Sequence, residues 1–188
     1  MGREVEKWIT VAGKHIPIYK DADKGVETLT DNEKKLISGY VGLGNEMNDL
    51  QPERAKALDA VIAKTGDVSG DISLYRAMSI KELGVGSKSE LRNNPDMIVG
   101  KTFSTRGFMS TSKTREGTGI DEFSSTAFRT ALVHFVKAKT AGLDISEFSD
   151  RKDEQEVLFS RDASYKILSC KVNGNDIEIE AEILKKGN

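Results

Sequence analysis

The sequence predicts an α+β fold in which helices come first and strands make up the rest of the chain. Between about residues 30 and 65, apolar residues recur every three or four positions, the spacing of a helix with one buried face. From residue 72 onward, the apolar runs have strand length and are separated by Gly, Asn and Ser. We therefore expect N-terminal helices packed on a mostly antiparallel sheet.

The composition fits one ordinary globular domain with a small extension. The chain has 188 residues, of which 37% are apolar, and this is enough to bury a sizeable core. We expect a hairpin and linker at residues 1–26 and one domain at residues 27–188. The formal net charge of -2 provides no basic surface for nucleic acid. Cys170 is the single cysteine, which excludes an intrachain disulfide and a cysteine-based zinc site.

The start of the sequence lacks the apolar core of a signal peptide, and no apolar window reaches the length of a membrane span. We therefore expect a protein that is made in the cytoplasm and has no membrane partner. Secretion by a route that needs no leader would leave no mark in the sequence.

Two short β-prone runs at residues 8–11 and 15–18 predict a hairpin, because Gly13 lies in the turn between them. Pro17 has no backbone N–H, so the second arm should lie at an edge.

The first helix is predicted from Asp31 to Tyr40. Thr30 and Glu33 have the spacing of a capping box, in which each side chain satisfies the other residue's backbone N–H. Gly42 and Gly44 should then end the helix.

A second helix should begin at Pro52 and stop at Gly66, because proline is favoured at the first helical position. Its buried stripe comprises Ala55, Leu58, Val61 and Ile62. Ser79 with Glu82 predicts a further capped helical turn, and residues 87–94 are expected to hold another.

Strands are predicted at residues 72–78, 100–103, 107–112, 131–136, 165–172 and 176–183. Asn173-Gly174 predicts a tight hairpin between the last two strands. Within the strand at residues 165–172, a buried face should be formed by Leu168, Cys170 and Val172. In the last strand, the face that alternates with Glu178, Glu180 and Glu182 should point inward, and it comprises Ile177, Ile179, Ala181 and Ile183.

Three polar motifs lie at the edges of these strands. Arg76 ends the first strand, Ser110-Thr111-Ser112 ends a later one, and Glu154-Gln155-Glu156 precedes another apolar run. In an extended segment Glu154 and Glu156 would point into one cleft, and we call these two residues the acidic pair. Each motif alone also has an ordinary explanation: a surface arginine, hydrogen bonding at a strand end, and a solvated carboxylate pair.

Taken together and in this order, the three motifs resemble those of the mono-ADP-ribosyltransferases of the clostridial binary-toxin and arginine-specific group. The resemblance covers roughly Leu29 to Ile183. It implies an α+β domain whose helices pack on a split, mostly antiparallel β-sandwich with NAD in its cleft, and it implies no metal. The N-terminal hairpin is also similar to segments of phage minor head proteins, some of which carry a fused transferase.

The resemblance also implies roles for named residues. Arg76, with Ala77 beside it, would hold the dinucleotide phosphates, and Ser110 would orient Glu156 by a hydrogen bond. Thr111 and Ser112 would support the strand beneath the dinucleotide.

The resemblance places two loops at the cleft. Phe128 and Arg129 would contact the dinucleotide from the long polar loop after residue 113, although Phe128 fits the core of the next strand equally well. Phe148 would present an aromatic ring to the protein substrate.

The chemistry explains why two carboxylates are needed. Loss of nicotinamide leaves a sugar cation like the oxocarbenium of glycoside cleavage, and Glu156 would stabilise this charge. Glu154 would bind and deprotonate the acceptor, and in the resembled family Glu at this position accompanies modification of arginine. The partner would be a protein that carries an acceptor arginine. Two alternatives stay open: an NAD glycohydrolase, and a degenerate virion-associated binding module of the same fold.

Overall fold

The structure is a computed structural model, which describes residues 5–11, 14–19, 29–120, 130–149, 151–174 and 176–185, with the backbone alone at residues 5–11, 14–19, 130 and 152. Its helices are α1 (Asp31–Leu43), α2 (Met47–Leu50), α3 (Pro52–Thr65) and α4 (Lys88–Asn93). The strands are β1 (Val5–Val11), β2 (Lys14–Tyr19), β3 (Val68–Ser79), β4 (Thr102–Ser104), β5 (Met109–Ser112), β6 (Thr130–Asp144), β7 (Glu156–Phe159), β8 (Ala163–Asn173) and β9 (Asp176–Lys185).

The helix starts follow the predicted capping. Both halves of the Thr30–Glu33 capping box form, and Pro52 opens α3. The predicted end of the first helix is wrong, because α1 continues through Gly42 to Leu43 and only Gly44 caps it. The short α2 was not predicted, since four residues are too few to show a helical period.

Seven strands form one sheet in the order β3-β5-β7-β6-β9-β8-β4, and β3 also pairs with β6. This extra pairing closes β3, β5, β7 and β6 into a ring. Only β6 and β9 run parallel; every other described pair is antiparallel. Register irregularities in β3 allow this long strand to bend and serve two neighbours. The predicted fold class is therefore confirmed.

The apolar side chains form two cores. The sheet core lies among the strands and α4, and it includes Phe135, Val157 and Phe159. The helix core joins α1 and α3 to the sheet through Phe108 and Leu158. Alternation along β7 thus sends Val157 and Phe159 into one core and Leu158 into the other, and Glu156 lies on the Leu158 face.

A hairpin joins β8 and β9, whose pairing extends to Asn173 opposite Asp176, with Gly174 in the left-handed region at φ 62°. The predicted inward face of β9 is confirmed, since Ile177, Ile179, Ala181 and Ile183 are buried.

Two predictions for β8 and β9 are wrong. A register irregularity between Ile167 and Ser169 turns Leu168 outward, so it does not share a buried face with Cys170. Glu182 does not share the solvated face of β9, because it lies against Lys139, with 3.0 Å between carboxylate and ammonium, and keeps only 13% of its side-chain exposure.

The predicted N-terminal hairpin is confirmed as a separate two-stranded sheet of β1 and β2, with Trp8 opposite Pro17. In the described part of the chain, no helix is both long enough and apolar enough to cross a membrane.

Candidate active site

Strand order brings the predicted motifs to one place. β5 lies between β3 and β7, with Ser112 opposite both Tyr75 and Glu156. Arg76 follows Tyr75 on β3, and Ser110 lies two residues before Ser112 on β5. Residues that are far apart in sequence therefore meet because three strands are neighbours.

A cavity of ≈190 Å³, here called the acidic cavity, opens above these strands. Its lining residues are Tyr75, Arg76, Ala77, Ser110, Thr111, Ser112, Gly117, Thr118, Glu154 and Glu156. The arginine, the Ser-Thr-Ser strand and both members of the acidic pair thus share one cavity.

Arg76 is half-buried rather than a free surface arginine. Its Nη1 donates a hydrogen bond to the Ser110 carbonyl oxygen at 2.9 Å, while its buried Nε has no partner among the described residues. An unpaired buried donor is costly unless a ligand or water satisfies it. The guanidinium is thus held in place with donor capacity to spare.

Glu156 is the half-buried carboxylate at the start of β7. Burial raises the pKa of its carboxyl group, and the charge of Glu154 raises it further. A hydrogen bond from the Ser110 side chain and the nearby positive charge of Arg76 act in the opposite direction. Tyr40 on α1 lies close enough to feel the same charge: burial and Glu156 both raise the pKa of its hydroxyl.

The other two hydroxyl groups of the Ser-Thr-Ser motif bond to backbone. Thr111 Oγ1 donates to the Val157 carbonyl oxygen at 2.8 Å, and Ser112 Oγ accepts from the Thr114 N–H at 3.1 Å. The first bond ties β5 to β7, and the second begins the loop that covers the cavity.

The route by which Glu154 reaches the cavity differs from the prediction. Residues Lys152–Glu154 form a 3₁₀ turn, and Gln155 has a φ of 42°. The acidic pair therefore meets through a turn and a left-handed residue, rather than by alternation along one strand. The Glu154 carboxylate also pairs with Arg151, with 3.0 Å between Oε1 and Nη1.

Phe148, the predicted substrate-facing aromatic residue, is not among the residues that line the acidic cavity. Phe148 is half-buried and packs against the helix core. Phe128 and Arg129 lie outside the described residues. His134 is a satisfied strand residue, since its Nε2 is 2.9 Å from Ser73 Oγ and its ring stacks on Tyr75.

A second cavity of ≈670 Å³, here called the amide cavity, was not predicted from the sequence. It lies on the other side of Arg76 and is lined by Asn45, Asn48, Asp49, Arg76, Glu82, Ser104, Thr105, Arg106, Gly107 and Phe108. In the part of the chain that the structure describes, the buried Asn48 Oδ1 has no hydrogen-bond partner. A Cβ atom at Gly107 would lie 2.5 Å from both Asn45 Oδ1 and Asn48 Nδ2, so any other residue would force these two side chains to shift. The one feature of the sequence that could have indicated this cavity was Gly107 in a polar loop.

These residues fit a dinucleotide. Arg76 lies between the two cavities with a free donor, as a pyrophosphate requires, and the amide cavity offers an unsatisfied acceptor to a polar group. Among the described residues, no group of His, Cys, Asp and Glu is arranged to hold a metal ion.

Comparisons with known proteins find a family profile and solved structures of the same fold. The profile of the family described as ADP-ribosyltransferase exoenzyme matches residues 19–186. No curated protein matches the sequence.

Solved structures share the fold at low identity. One is Plx2a, an ADP-ribosyltransferase toxin from Paenibacillus larvae, with 22% identity over 85% of this chain and 89% of that chain and a TM-score of 0.67. C3stau2 from S. aureus, solved with NAD, has 18% identity over 85% and 89% and a TM-score of 0.60. The ADP-ribosyltransferase Vis from Vibrio splendidus, solved in complex with agmatine, has 20% identity over 87% and 79% and a TM-score of 0.61.

Proposed function

This chain belongs to the ADP-ribosyltransferase exoenzyme family, and we propose that it transfers ADP-ribose from NAD to an arginine side chain of a target protein, with release of nicotinamide. The observation that carries the proposal is the acidic cavity, in which Glu154 and Glu156 converge with Arg76 and Ser110. We further propose residues 27–188 as the catalytic domain, because every described residue that lines either cavity lies at or beyond Asn45.

Arg76 is the proposed phosphate-binding residue. Its guanidinium stays charged at any working pH and can donate two parallel hydrogen bonds to phosphate oxygens. The bond to the Ser110 carbonyl fixes its direction before the dinucleotide arrives. Lysine would keep the charge but not this fork.

Glu156 is the proposed stabiliser of the sugar cation. Its carboxylate must be ionised for this role, because only a negative charge favours the developing positive charge. The neighbouring Ser110 side chain acts to lower the pKa of this carboxyl group, and its proposed role is to orient the carboxylate. Burial keeps water from weakening the interaction, and the same burial explains why the pKa is raised.

Glu154 is the residue proposed to bind the acceptor arginine. A guanidinium is a poor nucleophile while protonated, so a carboxylate beside it can both bind it and accept its proton. Two observations support an arginine acceptor: Glu154 already holds one guanidinium, that of Arg151, and the related Vis was solved with agmatine, which carries the same group. Plx2a, which shares this fold, is a toxin, and this supports a target protein in another cell.

Hydrolysis of NAD is the second candidate activity, because the same cavity would accept water in place of an acceptor. The complete set of Arg76, Ser110, Glu154 and Glu156 favours catalysis over a degenerate binding module.

Glu154→Gln tests the acceptor assignment. With labelled NAD and agmatine, transfer should fall about 100-fold or more, because the neutral amide cannot take the guanidinium proton. Nicotinamide release in the absence of an acceptor should persist. Glu178→Gln removes an exposed carboxylate of β9 and serves as the control. Normal transfer by the Glu154 variant would refute an arginine-directed role for this residue.

A further inference from the structure

The loop before Glu154 holds an arginine in a fixed position. The Arg151 N–H donates to Ser149 Oγ, and the Arg151 carbonyl oxygen accepts from the Glu154 N–H, both at 3.1 Å. Ser149 is itself buried, with 7% of its surface exposed. The backbone of Arg151 is therefore anchored on both sides, and its side chain starts from a defined point beside Glu154.

The guanidinium of Arg151 pairs with Glu154, the carboxylate proposed above to bind the acceptor. Its Nη1 lies 3.0 Å from Glu154 Oε1, and in the described part of the chain no other cation lies within ion-pair distance of that carboxylate. An exposed ion pair of this kind adds little stability. The ion pair matters because it places Arg151 beside Glu154, which lines the acidic cavity together with Glu156.

Resting on the proposed function, we propose that Arg151 is an ADP-ribose acceptor within the same chain. The bond between ribose C1′ and the nicotinamide nitrogen breaks, and its electron pair leaves with neutral nicotinamide. A terminal nitrogen of Arg151 then forms a bond to C1′, and the proton that it loses passes to Glu154. No further reactant is required.

Arg76, the arginine that lines the acidic cavity, is a poor acceptor by the same criteria. Its Nη1 is committed to the Ser110 carbonyl and it is half-buried, whereas the side chain of Arg151 is 64% exposed and directed to the proton-accepting carboxylate. The reaction would therefore choose Arg151 by position.

Self-modification would also limit the activity of the protein. ADP-ribose on Arg151 places a bulky group with two negative phosphates beside Glu154. A target guanidinium could then reach neither the carboxylate nor the ribose. Activity on an external acceptor should decline as the self-label accumulates.

The experiment incubates the purified chain with labelled NAD alone, and in parallel with agmatine, while nicotinamide release is measured. Tandem mass spectrometry maps the labelled residue. We expect the label at Arg151, at an initial rate per molecule that does not change on dilution. Glu156→Gln chain mixed with the active protein should stay unlabelled, because transfer occurs within one molecule.

Arg151→Lys should lower self-labelling by about tenfold or more while agmatine is still modified, and the KM for agmatine should fall because the competing guanidinium is gone. Preincubation with NAD should inactivate the native chain and spare this variant. Arg92→Lys, which removes an arginine of α4, is the matched control and should label normally.

The outcomes separate this inference from the proposed function. Labelled agmatine with an unlabelled chain, or with a label that persists in Arg151→Lys, overturns the inference and leaves the transferase assignment intact. Absence of agmatine labelling together with absence of nicotinamide release overturns the proposed function, and the inference that rests on it fails as well.

Discussion

Glu156 combines a structural cost with a proposed catalytic use. Its carboxylate is half-buried at the start of β7 and feels a second negative charge from Glu154. A buried carboxylate is tolerated when hydrogen bonds and an opposite charge compensate it, as Ser110 and Arg76 do here. Such a balance is typical of functional sites.

Glu156→Gln should lower both nicotinamide release and transfer by about 10²- to 10³-fold, because the amide keeps the size of the side chain and loses its charge. NAD should still bind, since Arg76, the proposed phosphate-binding residue, is untouched. Nicotinamide release and NAD titration calorimetry measure the two effects. Retained catalysis in this variant would contradict the role of Glu156.

The raised pKa of Glu156 predicts a pH dependence. Catalysis needs the ionised form, so nicotinamide release should fall on the acid side with an apparent pKa above 4.5, the ordinary value for glutamate. The carboxyl contributes most to folding stability when it is protonated, and this contribution is lost as pH rises through the folded-state pKa. Thermal unfolding should therefore show Glu156→Gln more stable than the native chain at neutral pH, with a difference that shrinks as pH falls. An equal difference at all pH values would contradict this account.

At the scale of elements, the acidic pair depends on two short turns in contact. The turn at Glu116–Thr118 packs against the turn at Lys152–Glu154. Gly117 is the contact point: an added Cβ would meet the Ser112 hydroxyl oxygen first, and it would lie 2.8 Å from the Asp153 carbonyl oxygen and 2.9 Å from that of Glu154. A loop that covers the cavity thus sets the position of Glu154, which is proposed to bind the acceptor.

Gly117→Ala should therefore impair transfer more than hydrolysis. The methyl group must push the 152–154 turn away. The resulting displacement of Glu154 should lower transfer by about tenfold or more. Glu156 begins β7 and should move less, so nicotinamide release should be largely kept. The two rates measured with agmatine separate these effects.

Gly42→Ala is the matched control. A Cβ at Gly42 in α1 meets no atom of the described residues within 4 Å, and alanine is the better helix former, so this variant should be stabilised by about 0.5–1 kcal/mol with normal transfer. Equal losses of transfer and hydrolysis in Gly117→Ala would indicate general unfolding rather than displacement of Glu154.

At the scale of the whole molecule, Arg76 connects the helical layer to the sheet. It lines the acidic cavity above the strands and also the amide cavity, to which Asn45 and Asn48 contribute from the helical region. A ligand that fills both cavities would bridge the two layers. Arg161 already joins them from another side, because its N–H and guanidinium both bind the Asp59 carboxylate of α3.

NAD should therefore stabilise the whole fold. At a concentration of 100 times its Kd, the expected gain in unfolding free energy is about 2.7 kcal/mol, which thermal unfolding detects as a higher midpoint. Arg76→Lys should weaken NAD binding by about tenfold or more and reduce this shift at the same NAD concentration, since lysine cannot donate as a fork. An unchanged affinity by calorimetry would remove Arg76 from the proposed phosphate site.

The sequence by itself determined the elements that depend on neighbouring residues. The Thr30–Glu33 box, Pro52 and the Asn-Gly hairpin signal act over a few positions, and the strand runs follow from local alternation. The order of Arg76, Ser110 and Glu156 was also readable, and with it the family. End positions were missed where local rules compete, as at Gly42 inside α1.

Only the tertiary structure decided how these motifs meet. The position of β5 between β3 and β7 comes from strand pairing across long sequence distances, and no local pattern specifies such a neighbour. The turn that delivers Glu154, the contact at Gly117 and the amide cavity likewise depend on the close approach of separate segments. The physical reason is that side-chain chemistry is written residue by residue, whereas a cavity exists only in the packing between segments.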